Sequence, residues 1–562
     1  MIDRQTSITE QLGRLSPRSS PPESVRAVEP FLNGDPKRLT AAIDGVGIIV
    51  GTCLGTVAIA TARPSLLIVA FGVSYGVTVL GRGILITVAN ARRSRTLGTA
   101  PTVVSRAVLR MRITPAVEEA AAFAAQTEGR LGDRLTNHVG RARGTPRSGF
   151  GTFADAWRER FPALYRSLTL IEAAGDAPEG ERDRTLDRAM DAMLGGTKDR
   201  ATEAAKALRG PATAIYAFGV LLPLALVSVL PAAGAAGVEA TLPAIVVVYD
   251  LILPVSLVCA SGWLLATRPV AFPPASTDEE TTGRLLFVGC SGLAIGAFSW
   301  IVTGRVFVPW AASLAAVGLG TGVTLLLYYR PVVTVRKRTD RLERSLPDAL
   351  YLIGRRVSDG IAVERAVADA SDELSGIAGE TFEAAARRQR QLRVGVEEAF
   401  VGEHGALEDV PSKRAESAAR LLGVAAGTGP PAGRALIETA DHLDELARVE
   451  TEARRNLGSV TSTLSNTAAL FGPLVGGATV ALADSVGTTK ALDGSMPETA
   501  GIGLAVGVYV LLMATILTAL STGLQRGLDR PTVGYRAGAA LCVATVTYLV
   551  SVFATGTIAG GL

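Results

Sequence analysis

Histidine is almost missing from this chain, with three in 562 residues. His138, His404 and His442 are scattered, and none belongs to a His-Glu-x-x-His pair, so the commonest zinc-hydrolase pattern is excluded. A phosphate-cradling Gly-x-x-x-x-Gly-Lys-Ser/Thr loop is also missing; Gly195-Gly196-Thr197-Lys198 lacks the leading glycine and the spacing. The cysteines are few, and Cys53, Cys259, Cys290 and Cys542 all fall in apolar stretches, where a thiol acts as a small hydrophobe. None has metal-ligand spacing. No catalytic, cofactor or metal site is therefore expected, and any ATP-driven step falls to another chain. An excess of one charge is missing too. The 56 Lys and Arg face 52 Asp and Glu, which argues against a nucleic-acid partner. No short apolar leader with a small-residue cleavage site lies near Met1, so the first apolar span is expected to direct insertion itself.

Long hydrophobic runs are what the chain does have. Apolar spans occur at about 41–62, 65–90, 212–232 and 241–266, and again at 284–303, 306–328, 459–483 and 500–523, with a further one at 535–558. About 20 apolar residues cross the hydrocarbon, so about nine transmembrane helices are expected in the lipid bilayer. The pattern repeats. A shift of roughly 246 residues lays Val117-Glu118-Glu119-Ala120 on Val363-Glu364-Arg365-Ala366 and brings the four spans of each half close to their counterparts, as duplication of a whole module would. Basic residues border the long polar segments: Arg92, Arg93 and Arg95; Arg336, Lys337 and Arg338; Arg526, Arg530 and Arg536. The opposite connections are nearly bare of them. By the positive-inside rule the N-terminus and both polar segments are cytoplasmic and Leu562 lies outside.

The organisation expected is an all-α polytopic membrane protein in tandem repeat. A cytoplasmic N-terminal segment (1–40) leads to a transmembrane pair (41–91), a helical domain (92–211) and a second pair (212–266). A Pro-rich linker (267–283) joins this half to a third pair (284–328), a second helical domain (329–458), a fourth pair (459–523) and the final helix (524–562). In the second domain Leu346, Leu350, Ile353, Val357 and Ile361 recur at helical steps, a stripe for one buried face. Gly360 breaks that helix and the next begins near Val363. Another covers about 379–393, a short one starts at Val396, one opens at Pro411-Ser412, and a last one runs over about 432–456. The first domain has the same order, with helices at about 101–112, at Val117 and at about 181–209.

Leu346-Pro347-Asp348-Ala349-Leu350, then Gly360-Ile361-Ala362-Val363-Glu364-Arg365-Ala366, then Gly395-Val396-Glu397-Glu398-Ala399-Phe400 resembles the F-domain of type II secretion and type IV pilus systems. Gly427 and Gly429 before an Ala-Leu resemble that family's late glycine break. The first domain keeps the order but lacks Leu-Pro-Asp and the glycine before Ile113. Two such domains with about nine spans resemble the archaeal platform proteins of archaella and adhesive pili. The resemblance implies a cell-membrane platform that docks a hexameric secretion ATPase and lifts pilin-like subunits from the bilayer into a filament. It leaves open which filament is built, and whether the platform is single or a homodimer. The turns carrying Gly360, Glu364, Gly395 and Glu397 are the expected ATPase contacts. The blander reading is that Leu346, Pro347, Asp348 and these turn residues only shape the bundle: the glycines allow tight turns, and each glutamate favours the positive end of a helix dipole.

Two membrane features stand apart. Asp250 lies about nine residues into its span, hence about 13 Å deep, where a carboxyl is costly and by default a functional candidate. It is either protonated or bonded to a neighbouring span, or it contacts a transported helix. Pro473, within Phe471-Gly472-Pro473, offers a kink for a substrate helix or for packing inside the protein. The rival reading is a secondary transporter built from the duplicated module. Against it, each repeat has four spans, so the two halves share one orientation and form no inverted pair.

Overall fold

A computed structural model describes residues 35–60, 96–127, 129–142, 148–235, 241–266, 285–488, 499–526 and 529–560, with Gly144 and part of 74–93. The N-terminal segment to residue 34, most of the second span, the 267–283 linker and the 489–498 connection lie outside the described residues. Every regular element among the described residues is helical. Among the described residues, seven helices are long and apolar enough to cross a membrane, as in a multi-pass membrane protein; they fall on the third to ninth apolar runs of the sequence.

Helix α1 is Pro36–Ala60 and holds the first apolar run. Ser74 Oγ donates to Gly47 O across 2.7 Å, and Arg82 grips the Asp44 carboxylate with both Nε (3.1 Å) and Nη2 (2.7 Å).

The first helical bundle comprises α2 (Ala100–Ile113), α3 (Val117–Ala125), α4 (Arg130–Ala142), α5 (Gly149–Asp155), α6 (Pro162–Gly175) and α7 (Glu179–Tyr216). Its core is Val104, Val108, Met111, Leu131, Leu135, Phe150, Phe153, Trp157, Leu164, Leu168 and Ile171, all at most 2 % exposed. A five-residue π turn, Ala217–Leu221, joins α7 to α8 (Leu222–Ala235). The next span is α9 (Leu242–Val246), a π turn at Val247–Ile252 and α10 (Leu253–Ala266).

The second half opens with α11 (Leu285–Val306) and α12 (Ala311–Ser358). The 48 residues of α12 extend about 72 Å at a rise of about 1.5 Å each, more than twice the hydrocarbon thickness. It is therefore both a span and the first helix of the second bundle. Pro347 lies inside it. Leu346, Leu350 and Ile353 are buried on the bundle side, so packing carries the helix through the missing N–H. The bundle continues with α13 (Val363–Glu373), α14 (Gly376–Leu392), α15 (Val396–Val401), α16 (Lys413–Thr428) and α17 (Pro430–Asn466), the same succession as α3 to α7. A π turn at Thr467–Phe471 leads into α18 (Gly472–Thr488), followed by α19 (Thr499–Arg526) and α20 (Arg530–Gly560).

Gly360 (φ +89°) and Gly429 (φ +76°) make the sharp turns after α12 and α16, using a backbone region that L side chains avoid. Gly395 does not. Its φ is −68°, and the left-handed residue closing α14 is Arg393 at φ 54°. Ser412 caps α16 by accepting from the Ala415 N–H at 3.1 Å.

In the membrane α20 lies against α12, α18 and α19. Small residues allow this: a Cβ on Gly318 would strike Thr545, one on Gly322 would strike Cys542, and one on Gly477 would meet the Tyr548 carbonyl. The third and fourth spans of the two halves are covered unequally. Only 33 % and 22 % of the most apolar stretches of Lys206–Val229 and Leu242–Leu265 are buried, against 56 % in both Val460–Asp484 and Ala500–Gln525.

Candidate functional site

The F-like motif residues separate into two groups. Leu346 and Pro347 are buried, and Leu346 lines the interior beside Leu342, Phe382, Phe400 and Leu407. Asp348, Gly360, Glu364, Gly395 and Glu397 are exposed. Glu364 and Glu397 stand in the first turns of α13 and α15, where their charge meets the helix dipole, and Glu397 packs beside Gly423 of α16. The exposed members are therefore available to a partner, and the buried ones hold the bundle.

The strongest electrostatics in this bundle lie elsewhere. Ser412 Oγ donates to Glu343 at 2.7 Å, and Arg414 reaches Glu343 at 3.6 Å and also pairs with Glu450, which Arg454 approaches at 3.6 Å. Burial works against the Arg414 charge, yet Glu450 and Glu343 hold its pKa above the ordinary arginine value. The group clamps α12, α16 and α17 together.

A second clamp joins the two bundles. Arg112 of α2, with its side chain 8 % exposed, pairs with Asp187 of α7 at 2.5 Å and with Glu438 of α17. Lys198 and Glu452 add a surface pair at 2.9 Å, Leu109 packs on the second core, and Leu446 packs on the first. Burial, then the Arg112 charge, pushes the nearby His442 imidazole below its ordinary pKa. Sequence reasoning missed this joint because its partners lie far apart in the chain.

Asp250 lies in the π turn of its span. Its Oδ1 is enclosed and has no hydrogen-bond partner, so no neighbouring span ties it down at that atom. The adjacent Tyr249 is fully engaged: its ring meets Tyr509 edge to face with centroids 5.7 Å apart, and its hydroxyl donates to Pro223 O at 2.6 Å. Pro473 is buried two residues beyond the π turn that ends at Phe471, where the sequence predicted a kink. No metal-binding group of His, Cys, Asp and Glu occurs among the described residues.

Two helical bundles are clamped to each other, and α7, α12 and α17 continue from them into apolar helices. Comparison with models of protein families, with curated proteins and with solved structures finds no match.

Proposed function

We propose that this protein is a membrane platform for assembling a type IV pilus-like filament, built from two tandem F-like modules and about nine spans. The observation that carries this reading is the repeated succession of helices, α2 to α7 and then α12 to α17, each set between apolar spans. A cytoplasmic hexameric ATPase docks on the exposed turns at Gly360–Glu364 and Gly395–Glu397. Its movement passes along α7, α12 and α17, and the membrane helices lift pilin-like subunits out of the bilayer. Both bundles and the N-terminus face the cytoplasm, and the chain itself performs no catalysis. Affinity purification from mildly solubilised membranes tests it: a P-loop ATPase or pilin-like subunits should co-purify, and deletion should remove surface filaments. Recovery of the protein alone, from membranes that contain such an ATPase, would overturn the reading.

The enclosed Oδ1 of Asp250 favours a second reading, a secondary transporter. Substrate-dependent flux in reconstituted vesicles, abolished by Asp250→Asn, would favour it over the platform.

A further inference from the structure

The third span of each half carries the same interruption. Ala217–Leu221 and Thr467–Phe471 are π turns of five residues, and a proline, Pro223 or Pro473, follows each by two positions. π turns are rare and occur mostly as single bulges at functional sites. A proline beside one removes a further N–H from the ladder and is an established cause of bending. Each interruption sits where a long cytoplasmic helix, α7 or α17, continues into an apolar one, α8 or α18.

The tethers differ between the halves. In the first, Gly219 O accepts from the Tyr509 hydroxyl and Pro223 O accepts from the Tyr249 hydroxyl. Both donors come from other spans, and beyond them Leu222, Leu226 and Val229 are exposed. In the second, Ser465 and Ser521 bond at 2.8 Å before the turn, and Ser551 Oγ donates to Leu474 O at 2.6 Å after it. There Gly472 abuts Met513 of α19 and Gly477 abuts the α20 backbone, so this helix is packed on two neighbours although Phe471 and Leu474 face outward. On the cytoplasmic side, Lys198–Glu452 and the Arg112 clamp fix α7 to its neighbours.

We infer that residues 217–223 are a hinge and 467–473 a fixed post. With α7 held in the bundles, α8 swings in the membrane, sliding over Gly476 where Leu224 meets it. The Tyr509 hydroxyl is the latch: its bond to Gly219 O holds the arm straight, and breaking it lets the arm bend. The platform reading supplies the use of this motion, lifting a membrane-embedded helix, but the motion itself does not depend on it.

Pulsed electron–electron resonance in lipid nanodiscs tests the hinge, in a chain whose four cysteines are replaced by alanine. Spin labels at Thr213 and Val229 bracket the hinge, and labels at Thr463 and Leu482 bracket the post. Two distances are expected across the hinge and one across the post. Tyr509→Phe should shift the first pair toward the shorter, bent distance, Pro223→Ala should collapse it to one distance, and Ser551→Ala should leave it unchanged. A single hinge distance that neither Tyr509→Phe nor Pro223→Ala alters would overturn the proposal, as would two distances at the post. Unchanged elution and melting temperature of Tyr509→Phe guard against a folding defect. Filament counts on the same variants separate the two ideas: altered distances with normal filaments would sink the platform reading and leave the hinge standing.

Discussion

Arg112 and Glu438 pair across the seam between the two helical bundles, and the same guanidinium holds Asp187 on the other side. One side chain thus joins three helices, α2, α7 and α17. Because Asp187 is largely exposed and Glu438 partly so, removing Arg112 leaves charges that water can reach, and the penalty stays below that of a fully buried pair. Arg112→Ala should destabilise the detergent-solubilised protein by about 1–3 kcal/mol. A double-mutant cycle with Glu438→Gln, read by thermal unfolding, should give a coupling clearly different from zero; strict additivity would refute the clamp.

His442 makes this joint acid-sensitive. Its folded pKa lies below the ordinary imidazole value of about 6.5, so the unfolded chain takes up the proton first. The contribution is therefore complete above that pH and is lost as pH falls through it toward the folded value. Melting temperature should drop between pH 7.5 and 5.5, and His442→Gln should flatten that slope. An unchanged slope in the variant would assign the acid sensitivity to other groups.

At Gly433, α17 lies directly against the Gly354–Ser358 end of α12. A Cβ there would lie 2.4 Å from the Ser358 backbone nitrogen, a contact no rotamer change relieves. Gly433→Ala should cost about 1–3 kcal/mol through overpacking. Limited trypsin digestion should then cut the Arg387–Arg393 run faster than in the parent protein.

Glu364 and Glu397 are exposed, so their stability effects should stay within about 0.5 kcal/mol. Under the platform reading, Glu364→Lys with Glu397→Lys should abolish filaments and weaken ATPase recovery while the protein still folds. Normal filaments from that double variant would remove these turns from the docking surface.

Asp250→Leu separates structure from use. Removing an enclosed acceptor with no partner should raise stability by about 1 kcal/mol. A functional carboxyl requires that filament number fall at the same time, the usual trade of stability against activity. Higher stability with undiminished filaments would make Asp250 dispensable.

Much of the architecture was legible in the sequence. The seven apolar helices fall on predicted spans because 20-residue hydrophobic runs leave few alternatives, and the Leu346–Val357 stripe faces the core as its period required. Gly360 and Gly429 turn the chain where expected. What failed was local punctuation overruled by packing. Gly395 does not use its freedom, and the sharp backbone falls on Arg393. Pairs remote in sequence were invisible for a different reason. Nothing in the order of residues announces that Asp44 meets Arg82, that Arg112 meets Glu438, or that Tyr509 reaches Gly219. Phe471-Gly472-Pro473 marked an interruption in the sequence and a π turn ends there, while the π turn at Ala217–Leu221 was not readable, since Pro223 lies in an otherwise ordinary apolar run.

The seating of α20 against α12, α18 and α19 also sets an order of events during synthesis. All three partners leave the ribosome before it does, so the glycine faces at Gly318, Gly322 and Gly477 spend that interval without their cover. Until α20 is inserted, the second half is an open mould in the bilayer, and a nascent chain stalled before residue 530 would present that mould to membrane quality-control proteases. Completion of the fold is therefore gated from the C-terminal side, by the helix that is translated after all of its neighbours.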